Sequence, residues 1–230
     1  MDTKAVLFDL DGTLVDSLPD IHAGVCALAE RRGLPKPPIE DVGDMIGKGI
    51  RVLIERLADW WRLRGHAVET PEPEALLPEL IEVWSGMPDL VRPIPGAFEA
   101  VAALRAAGIK TALVTNKIRE RTVEYLERNG LEDAFDAVVT ASDCERAKPW
   151  PDMLWMAAEQ LQVDLKACVM VGDSQNDALA GRAAGMRTVL VRTGYNEGVT
   201  IDEWAAQNGF EDLWDDVPQA MAPILKEAAR

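Results

Sequence analysis

The 230 residues of this chain include 39 acidic and 24 basic side chains, which gives a formal net charge of −15. A field of this sign repels nucleic acid and anionic lipid headgroups, so we expect neither a nucleic-acid nor a membrane partner. With 48% hydrophobic residues, the chain is long and apolar enough for one large α/β domain or for a core with a smaller insert. The same field repels a phosphorylated substrate, unless the site itself supplies a metal ion or a local cation.

The cysteines and histidines indicate the cellular compartment and the kind of catalysis to expect. Cys26, Cys144 and Cys168 are an odd number without close spacing, and no basic segment followed by an apolar run opens the chain. No window approaches the roughly 18 apolar residues of a membrane-spanning helix. We therefore expect a reduced, cytoplasmic protein. His22 and His66 each stand alone on a helix-like stretch, which does not favour catalysis by histidine.

In chain order, one short apolar run is followed by a long helical segment and then by alternating runs and helices. Helical periodicity is present at 21–31, 50–63 and 75–84, and again at 97–107 and 118–129, where glycine follows each of the last two. The predicted buried strands are 5–8, 111–114, 137–140, 168–171 and 188–191.

This order predicts an α/β fold, a doubly wound parallel sheet with helices on both faces. Residues 16–91 contain no strand-like run, so we interpret them as a helical cap inserted after the first strand, with residues 1–15 and 92–230 as the core. The alternative is that these helices pack as an extra layer of a single domain.

The first strand ends in two aspartates, Asp9 and Asp11. Ligands of open α/β sheets bind beyond the carboxyl ends of the strands, and alternation turns both carboxylates the same way. A hairpin that turns at Asp11 and Gly12 would explain the same residues without any chemistry. A calcium loop is disfavoured, because the glycine and the closing glutamate fall at the wrong spacing after Asp9.

Three further segments place polar residues at the ends of other predicted strands. Thr115 and Asn116 offer a hydroxyl and backbone amides to phosphate oxygens. Lys148 offers a cation, and Asp173 and Asp177 offer carboxylates that suit a hard metal ion. Each has a plain alternative, namely a helix cap for Thr115 and Asp173 and a surface lysine for Lys148. Together they put acids, a hydroxyl and a lysine at one edge of the sheet.

With these residues in order, the chain resembles the haloacid dehalogenase superfamily. The four motifs of that superfamily match Asp9 to Thr13, Thr115, Lys148, and Asp173 with Asp177. The resemblance extends over nearly the whole chain to bacterial phosphoglycolate phosphatases. The segments that carry this second resemblance are 15–17, 46–49, 114–117, 172–174 and 194–198.

The resemblance implies a Mg²⁺-dependent phosphatase that forms an aspartyl-phosphate. Asp9 would be the nucleophile, and Asp11 would protonate the leaving alcohol and later activate water. Mg²⁺ would be held by Asp9, by the backbone carbonyl of Asp11 and by Asp173, with Asp177 behind them. The residues expected to bind the phosphoryl group or the rest of the substrate are Thr115, Lys148, Asn116, Thr13, Gly47, Lys48 and Gly49.

The same resemblance leaves other functions open. An aspartate at position 11 disfavours dehalogenases and phosphonate hydrolases, but a β-phosphoglucomutase-like phosphomutase or a phosphatase of sugar phosphates or other small phosphates remains possible. A phosphate-binding protein with a silent site is the alternative from another class. Lys48 departs from the family pattern, and we expect it either to bind a substrate carboxylate or to be a solvated loop lysine. The predicted partner is a small phosphorylated metabolite, and the predicted assembly is a monomer or homodimer.

Overall fold

The computed structural model describes residues 2–229, and a parallel sheet forms the centre of the fold. The strands are β1 (Ala5–Phe8), β2 (Val15–Asp16), β3 (Arg92–Pro93), β4 (Lys110–Thr115), β5 (Ala137–Thr140), β6 (Cys168–Gly172), β7 (Arg187–Val191) and β8 (Leu213–Trp214). Six of them form one sheet in the order β5-β4-β1-β6-β7-β8, and every neighbouring pair is parallel. The predicted doubly wound parallel sheet is confirmed.

Helices cover both faces of this sheet. In chain order the helices are α1 (Leu18–Arg32), α2 (Ile39–Gly43), α3 (Ile50–Trp61), α4 (Pro73–Ser85), α5 (Ala97–Ala106), α6 (Arg119–Arg128), α7 (Asp152–Leu161), α8 (Gln175–Ala184), α9 (Ile201–Asn208) and α10 (Val217–Ala228), and the first four lie between β2 and β3. Val6 and Phe8 of β1 point to the face covered by α5, α6 and α10, whereas Ala5 and Leu7 point to the face covered by α7 and α8. Because both faces are covered, β1 is apolar throughout and fully buried.

Residues 18–85, which we call the helical insert, bury a hydrophobic cluster of their own. In α3 the buried positions recur at helical spacing, with Leu53, Leu57 and Trp61 on one face. Both ends of the insert meet at a short antiparallel ribbon in which Val15 of β2 pairs with Pro93 of β3. The division into a cap of residues 16–91 and a core remains a prediction, and the ribbon lies at both proposed boundaries.

The observed elements differ from the predicted ones mainly at their ends. The predicted helix at 50–63 ends at Trp61, and a wider helical turn continues to His66 through Gly65, whose φ is 94°. The edge strand β8 has two residues and was not predicted, because a run of that length has no measurable period. Within residues 2–229, no helix combines the length and the apolar content needed to cross a bilayer.

Candidate active site

The predicted site residues come from four different strands of the sheet. Asp9 follows β1, Thr115 is the last residue of β4, Lys148 lies in the loop after β5, and Asp173 follows β6. All four strands are parallel, and Phe8 is in register with both Leu113 and Val171. Their carboxyl ends therefore meet at one edge of the sheet, where the order of strands reverses around β1.

Lys148 is the buried cation of the site. Its Nζ lies 2.9 Å from Asp9 Oδ1 and 2.7 Å from Asp177 Oδ1, and it donates to the carbonyl oxygen of Val114 at 2.8 Å. The side chain is 1% exposed, which rules out a surface lysine. Burial by itself would lower the pKa of Lys148, but the carboxylates of Asp177 and Asp9 outweigh burial and raise it. The side chain therefore stays charged.

Three carboxylates lie beside this lysine. Each of them offers one carboxylate oxygen that lies within 4.8 Å of the other two, and the residues are Asp9, Asp173 and Asp177. Burial raises the pKa of Asp9 to about 7, and the neighbouring Asp177 and Asp11 add to the shift while Lys148 opposes it. Burial, followed by repulsion from Asp177 and Asp9, also raises the pKa of Asp173 well above its usual value. Three carboxylates beside one ammonium leave an excess of negative charge in the cluster. Carboxylate oxygens are the ligands that a hard divalent ion such as Mg²⁺ prefers, so the cluster fits such an ion.

Asp173 is held in a narrow cradle. The hydroxyl of Thr13 donates to its Oδ1 at 2.7 Å, and the backbone amide of Tyr195 donates to its Oδ2 at 2.8 Å. A Cβ at Gly12 would lie 2.4 Å, and one at Gly194 2.0 Å, from the same Oδ2. The predicted substrate-binding residue Thr13 thus orients a carboxylate of the site, and its contact with substrate remains a prediction.

Asp177 lies in the first turn of α8. Its Oδ2 accepts hydrogen bonds from the backbone amide of Ser174 at 3.1 Å and from the Ser174 hydroxyl at 2.7 Å. Its Oδ1 accepts from Lys148. Asp177 therefore serves as a helix cap and as a member of the charged cluster at the same time.

Asp11 pairs with a second lysine, which the sequence analysis did not single out. Lys117 Nζ lies 2.9 Å from Asp11 Oδ1 and 3.2 Å from Oδ2. The chain turns at Gly12, where φ is 85° and the backbone amide donates to the carbonyl of Val15 at 2.7 Å. The alternative of a hairpin is wrong, because β1 pairs in parallel with β4 and β6 whereas β2 pairs with β3. The turn at Gly12 places Asp11 within the site.

Asn116 links the end of β4 to two other segments. Its side-chain oxygen accepts from the backbone amide of Lys148 at 3.0 Å. Its side-chain nitrogen donates to the carbonyl of Lys148 at 2.9 Å and to that of Gly47 at 3.0 Å. Asn116 thus joins the Lys148 loop to the helical insert.

Lys48 points to a glutamate of the sheet domain. Its Nζ lies 3.1 Å from Glu197 Oε2, an oxygen that Arg56 also contacts, and Asn176 Nδ2 donates to Glu197 Oε1 at 3.0 Å. Burial tends to raise the pKa of Glu197, but the hydrogen bonds from Asn176, Arg56 and Lys48 lower it overall. Gly47 and Gly49, which flank Lys48 in the predicted substrate loop, both line the cavity between the insert and the sheet. Substrate binding by Lys48 remains a prediction.

A cavity lies between the helical insert and the carboxyl edge of the sheet. The insert contributes an apolar wall, and the sheet edge contributes a polar floor with two cations. The apolar wall consists of Ile21, Ile46, Ile50, Leu53 and Trp84. The polar floor includes Asp9, Asp11, Thr115, Asn116, Asp173 and Ser174, and the cations are Lys117 and Arg121.

Sequence reasoning missed four residues around this cavity. Lys117 and Arg121 follow the predicted Thr115 and Asn116, so their place after a strand end was a usable signal. Tyr195 and Glu197 lie in a loop after β7, within the segment 194–198 that carries the family resemblance, but their partners Asp173 and Lys48 are set by packing.

The fold and the site together define a class of protein. A doubly wound sheet carries a buried lysine and a cluster of aspartates at its carboxyl edge, beneath a helical insert that follows the first strand. The chain belongs to the haloacid dehalogenase-like hydrolases, because the model of that family matches residues 3–185. The predicted family is confirmed.

Curated relatives and solved structures agree with this placement. The chain is 36% identical over 221 residues to a phosphoglycolate phosphatase of Caulobacter vibrioides, covering 96% of this chain and 91% of the relative. It is 34% identical over 230 residues to an N-acetylmuramic acid 6-phosphate phosphatase of Pseudomonas aeruginosa, with coverage of 99% and 97%. A crystal structure described as a predicted phosphoglycolate phosphatase from Haemophilus somnus superposes with a TM-score of 0.85 at 29% identity, covering 99% of this chain and 98% of that one.

Proposed function

We propose that this protein is a Mg²⁺-dependent phosphatase that hydrolyses 2-phosphoglycolate through an aspartyl-phosphate on Asp9. The chain is a phosphoric monoester hydrolase by its family and by relatives named phosphoglycolate phosphatase. The observation that carries the mechanism is the contact of Asp9 with Lys148 at 2.9 Å beside two further buried aspartates.

Asp9 is oriented for attack on phosphorus. Its Oδ1 accepts hydrogen bonds from the backbone amide of Leu10 at 2.7 Å and from Lys148, and these two contacts fix the plane of the carboxylate. The Asp9 oxygen forms a bond to phosphorus while the ester P–O bond breaks. Lys148 and the hydroxyl of Thr115 stabilise the charge on the transferring oxygens.

Asp11 handles the protons of both half-reactions. Once substrate is bound, Asp11 in its protonated form gives its proton to the leaving alcohol, and the resulting carboxylate takes a proton from the water that attacks the aspartyl-phosphate. Inorganic phosphate leaves, and Asp9 is restored as a carboxylate.

Mg²⁺ would be held by the carboxylates of Asp9 and Asp173 and by the backbone carbonyl of Asp11, with Asp177 behind them. When bound, the ion supplies the positive charge that the phosphoryl oxygens and the crowded carboxylates need. Thr13 and the amide of Tyr195 keep Asp173 in place for this role.

The choice of 2-phosphoglycolate is supported by the relatives. The names phosphoglycolate phosphatase and N-acetylmuramic acid 6-phosphate phosphatase both refer to phosphate esters of a carboxylic acid. The insert lines the cavity mainly with apolar side chains, which suits a small leaving group better than a sugar with many hydroxyls.

Release of inorganic phosphate from a panel of small phosphate monoesters tests the proposal. We expect turnover with Mg²⁺, none with EDTA, and the highest kcat/KM for 2-phosphoglycolate within the panel. Interconversion of glucose phosphate isomers without phosphate release would identify a phosphomutase instead. Binding of phosphate without turnover of any ester would identify a silent site.

We also place the enzyme in the cytoplasm as a monomer or homodimer. This proposal rests on the odd number and wide spacing of Cys26, Cys144 and Cys168, which are free thiols in the structure. Light scattering of the purified chain at several concentrations distinguishes the two assemblies.

A further inference from the structure

We infer that Lys117 determines specificity: in the free enzyme it pairs with Asp11, and on binding it transfers to a carboxylate on the leaving group of the substrate. This inference rests on the proposed phosphatase activity. It assigns to the site a substrate class, phosphate monoesters whose leaving group carries a carboxylate.

The charges of the cavity separate into two groups. Lys148 lies behind Asp9 and Asp177 and is 1% exposed, so it is committed to the phosphoryl end. Lys117 and Arg121 instead line the cavity, together with the apolar side chains of the insert. Within residues 2–229, these two are the cations available to the part of a substrate that leaves.

The ion pair between Lys117 and Asp11 is one that Lys117 can leave for a substrate carboxylate. Lys117 Nζ is within 3.2 Å of both oxygens of Asp11, so the ammonium covers the group that must reach the leaving oxygen. The two side chains are 14% and 18% exposed, so water still reaches the pair. A substrate carboxylate has the same charge and geometry as that of Asp11, and the flexible lysine stem allows the ammonium to move to it. The move uncovers Asp11 at the moment the substrate is bound.

Arg121 is less free to change partners. It contacts Glu124 at 3.0 Å, lies 3.9 Å from Asp20, and its guanidinium sits 4.9 Å from the centre of the Trp84 ring. Three neighbours thus hold it in position, and we assign it a supporting charge only.

Lys48 is a weaker candidate for the same role. Its ammonium is bound to Glu197, and the side chain is not among those that line the cavity within the described residues. Glu197 is shared with Arg56 and Asn176, so the whole group stabilises the loop that holds Lys48.

Substitution Lys117→Met tests the inference, because methionine keeps the length of the stem and removes the charge. The Mg²⁺-loaded enzyme is assayed with 2-phosphoglycolate and with ethyl phosphate, which has the same two carbons but no carboxylate. We expect the ratio of kcat/KM for 2-phosphoglycolate to that for ethyl phosphate to fall by about 10- to 150-fold, the equivalent of one hydrogen bond to a charged group. In Lys117→Met, Asp11 is uncovered with either substrate, so the loss of the carboxylate contact falls on 2-phosphoglycolate alone.

Two matched variants complete the test. Lys48→Met makes the same chemical change at a lysine that faces Glu197, and we expect it to leave the ratio unchanged. Lys117→Arg keeps the charge and should restore much of the ratio. Calorimetry in the Asp9→Asn background measures the Kd of both esters without turnover. We expect tighter binding of 2-phosphoglycolate than of ethyl phosphate, and we expect this difference to disappear when Lys117→Met is added.

An unchanged ratio in Lys117→Met would overturn the inference while leaving the phosphatase proposal intact. A fall of the ratio in Lys48→Met instead would move carboxylate recognition to Lys48. If the wild-type enzyme releases phosphate from neither ester, the proposed function itself fails.

Discussion

Asp9 is subject to two opposing effects in the folded protein. Burial and the carboxylate of Asp177 disfavour its negative charge, whereas Lys148 favours it. The balance leaves the pKa of Asp9 at about 7 in the absence of metal. As the proposed nucleophile, Asp9 therefore depends on positive charge from outside the chain to be fully ionised at neutral pH.

Substitution Asp9→Asn is expected to abolish turnover, because an amide oxygen is a poor nucleophile and a weak metal ligand. The variant should fold, since its side-chain oxygen can still accept from Leu10 and Lys148 and one of the crowded negative charges is gone. Phosphate release and thermal unfolding are measured side by side. Asp133→Asn, at an exposed position, is the control and should keep wild-type activity. Normal turnover of the Asp9 variant would end the mechanism.

Asp11→Asn is expected to reduce kcat by about 10²- to 10⁴-fold, because the amide cannot donate or accept the required proton. The affinity for Mg²⁺ should change little, because Asp11 is expected to bind the ion through its backbone carbonyl. Single-turnover kinetics and calorimetry with Mg²⁺ measure the two effects separately. Loss of Mg²⁺ affinity with nearly normal chemistry would reverse the assignment of Asp11.

At the scale of elements, the loop between α2 and α3 joins the helical insert to the sheet. A Cβ at Gly49 would lie 3.0 Å from the carbonyl oxygen of Asn116, and one at Gly47 3.0 Å from Asn176 Nδ2. Both glycines have positive φ, 126° at Gly47 and 83° at Gly49. The loop can approach the sheet this closely because it has no side chain at either position.

Glu197 is the charged part of the same contact. Glu197→Gln should weaken the pairs with Lys48 and Arg56 and lower kcat/KM by roughly 10-fold, in line with hydrogen bonds to charged groups worth about 1.5–3 kcal/mol. Since the contact holds the insert against the sheet, the loss should be equal for 2-phosphoglycolate and ethyl phosphate. Glu132→Gln, an exposed glutamate, is the control. A loss confined to 2-phosphoglycolate would instead support substrate binding by this loop.

At the scale of the whole molecule, the acidic cluster links stability to pH and metal. The pKa of Asp9 is about 7 in the folded protein against a usual 3.8, so the metal-free fold binds a proton that the unfolded chain releases. The contribution of Asp9 to the free energy of unfolding is fully present below about pH 4 and is lost as the pH rises through 7. The proposed Mg²⁺ would bind the ionised carboxylates, so we expect the rise in Tm that it causes to be larger at pH 8 than at pH 5.5.

Differential scanning calorimetry with Mg²⁺ or EDTA at the two pH values measures this effect. The difference between the two conditions cancels the titration of carboxylates away from the site. Asp9→Asn should reduce the dependence on pH, because one of the titrating ligands is absent. An equal gain in Tm at both pH values would contradict the assigned ligands.

Much of the fold and of the candidate site could be predicted from local pattern alone. Buried parallel strands are continuous apolar runs, so the predicted 5–8 and 137–140 coincide with β1 and β5. Once those strands are parallel, their carboxyl ends must share an edge. Asp9, Thr115, Lys148 and Asp173 could therefore be placed together without any knowledge of side-chain contacts.

Other features depended on which side chains packing brings together. The pair of Lys117 with Asp11 joins residues 106 positions apart, and Tyr195 reaches Asp173 from a loop after β7. Lys48 looked from sequence like a free cation, but packing places Glu197 beside it. Periodicity records which face of an element is buried and carries no information on the partner that a polar side chain meets there. That choice depends on the docking of the helical insert on the sheet, and so only the tertiary structure decided it.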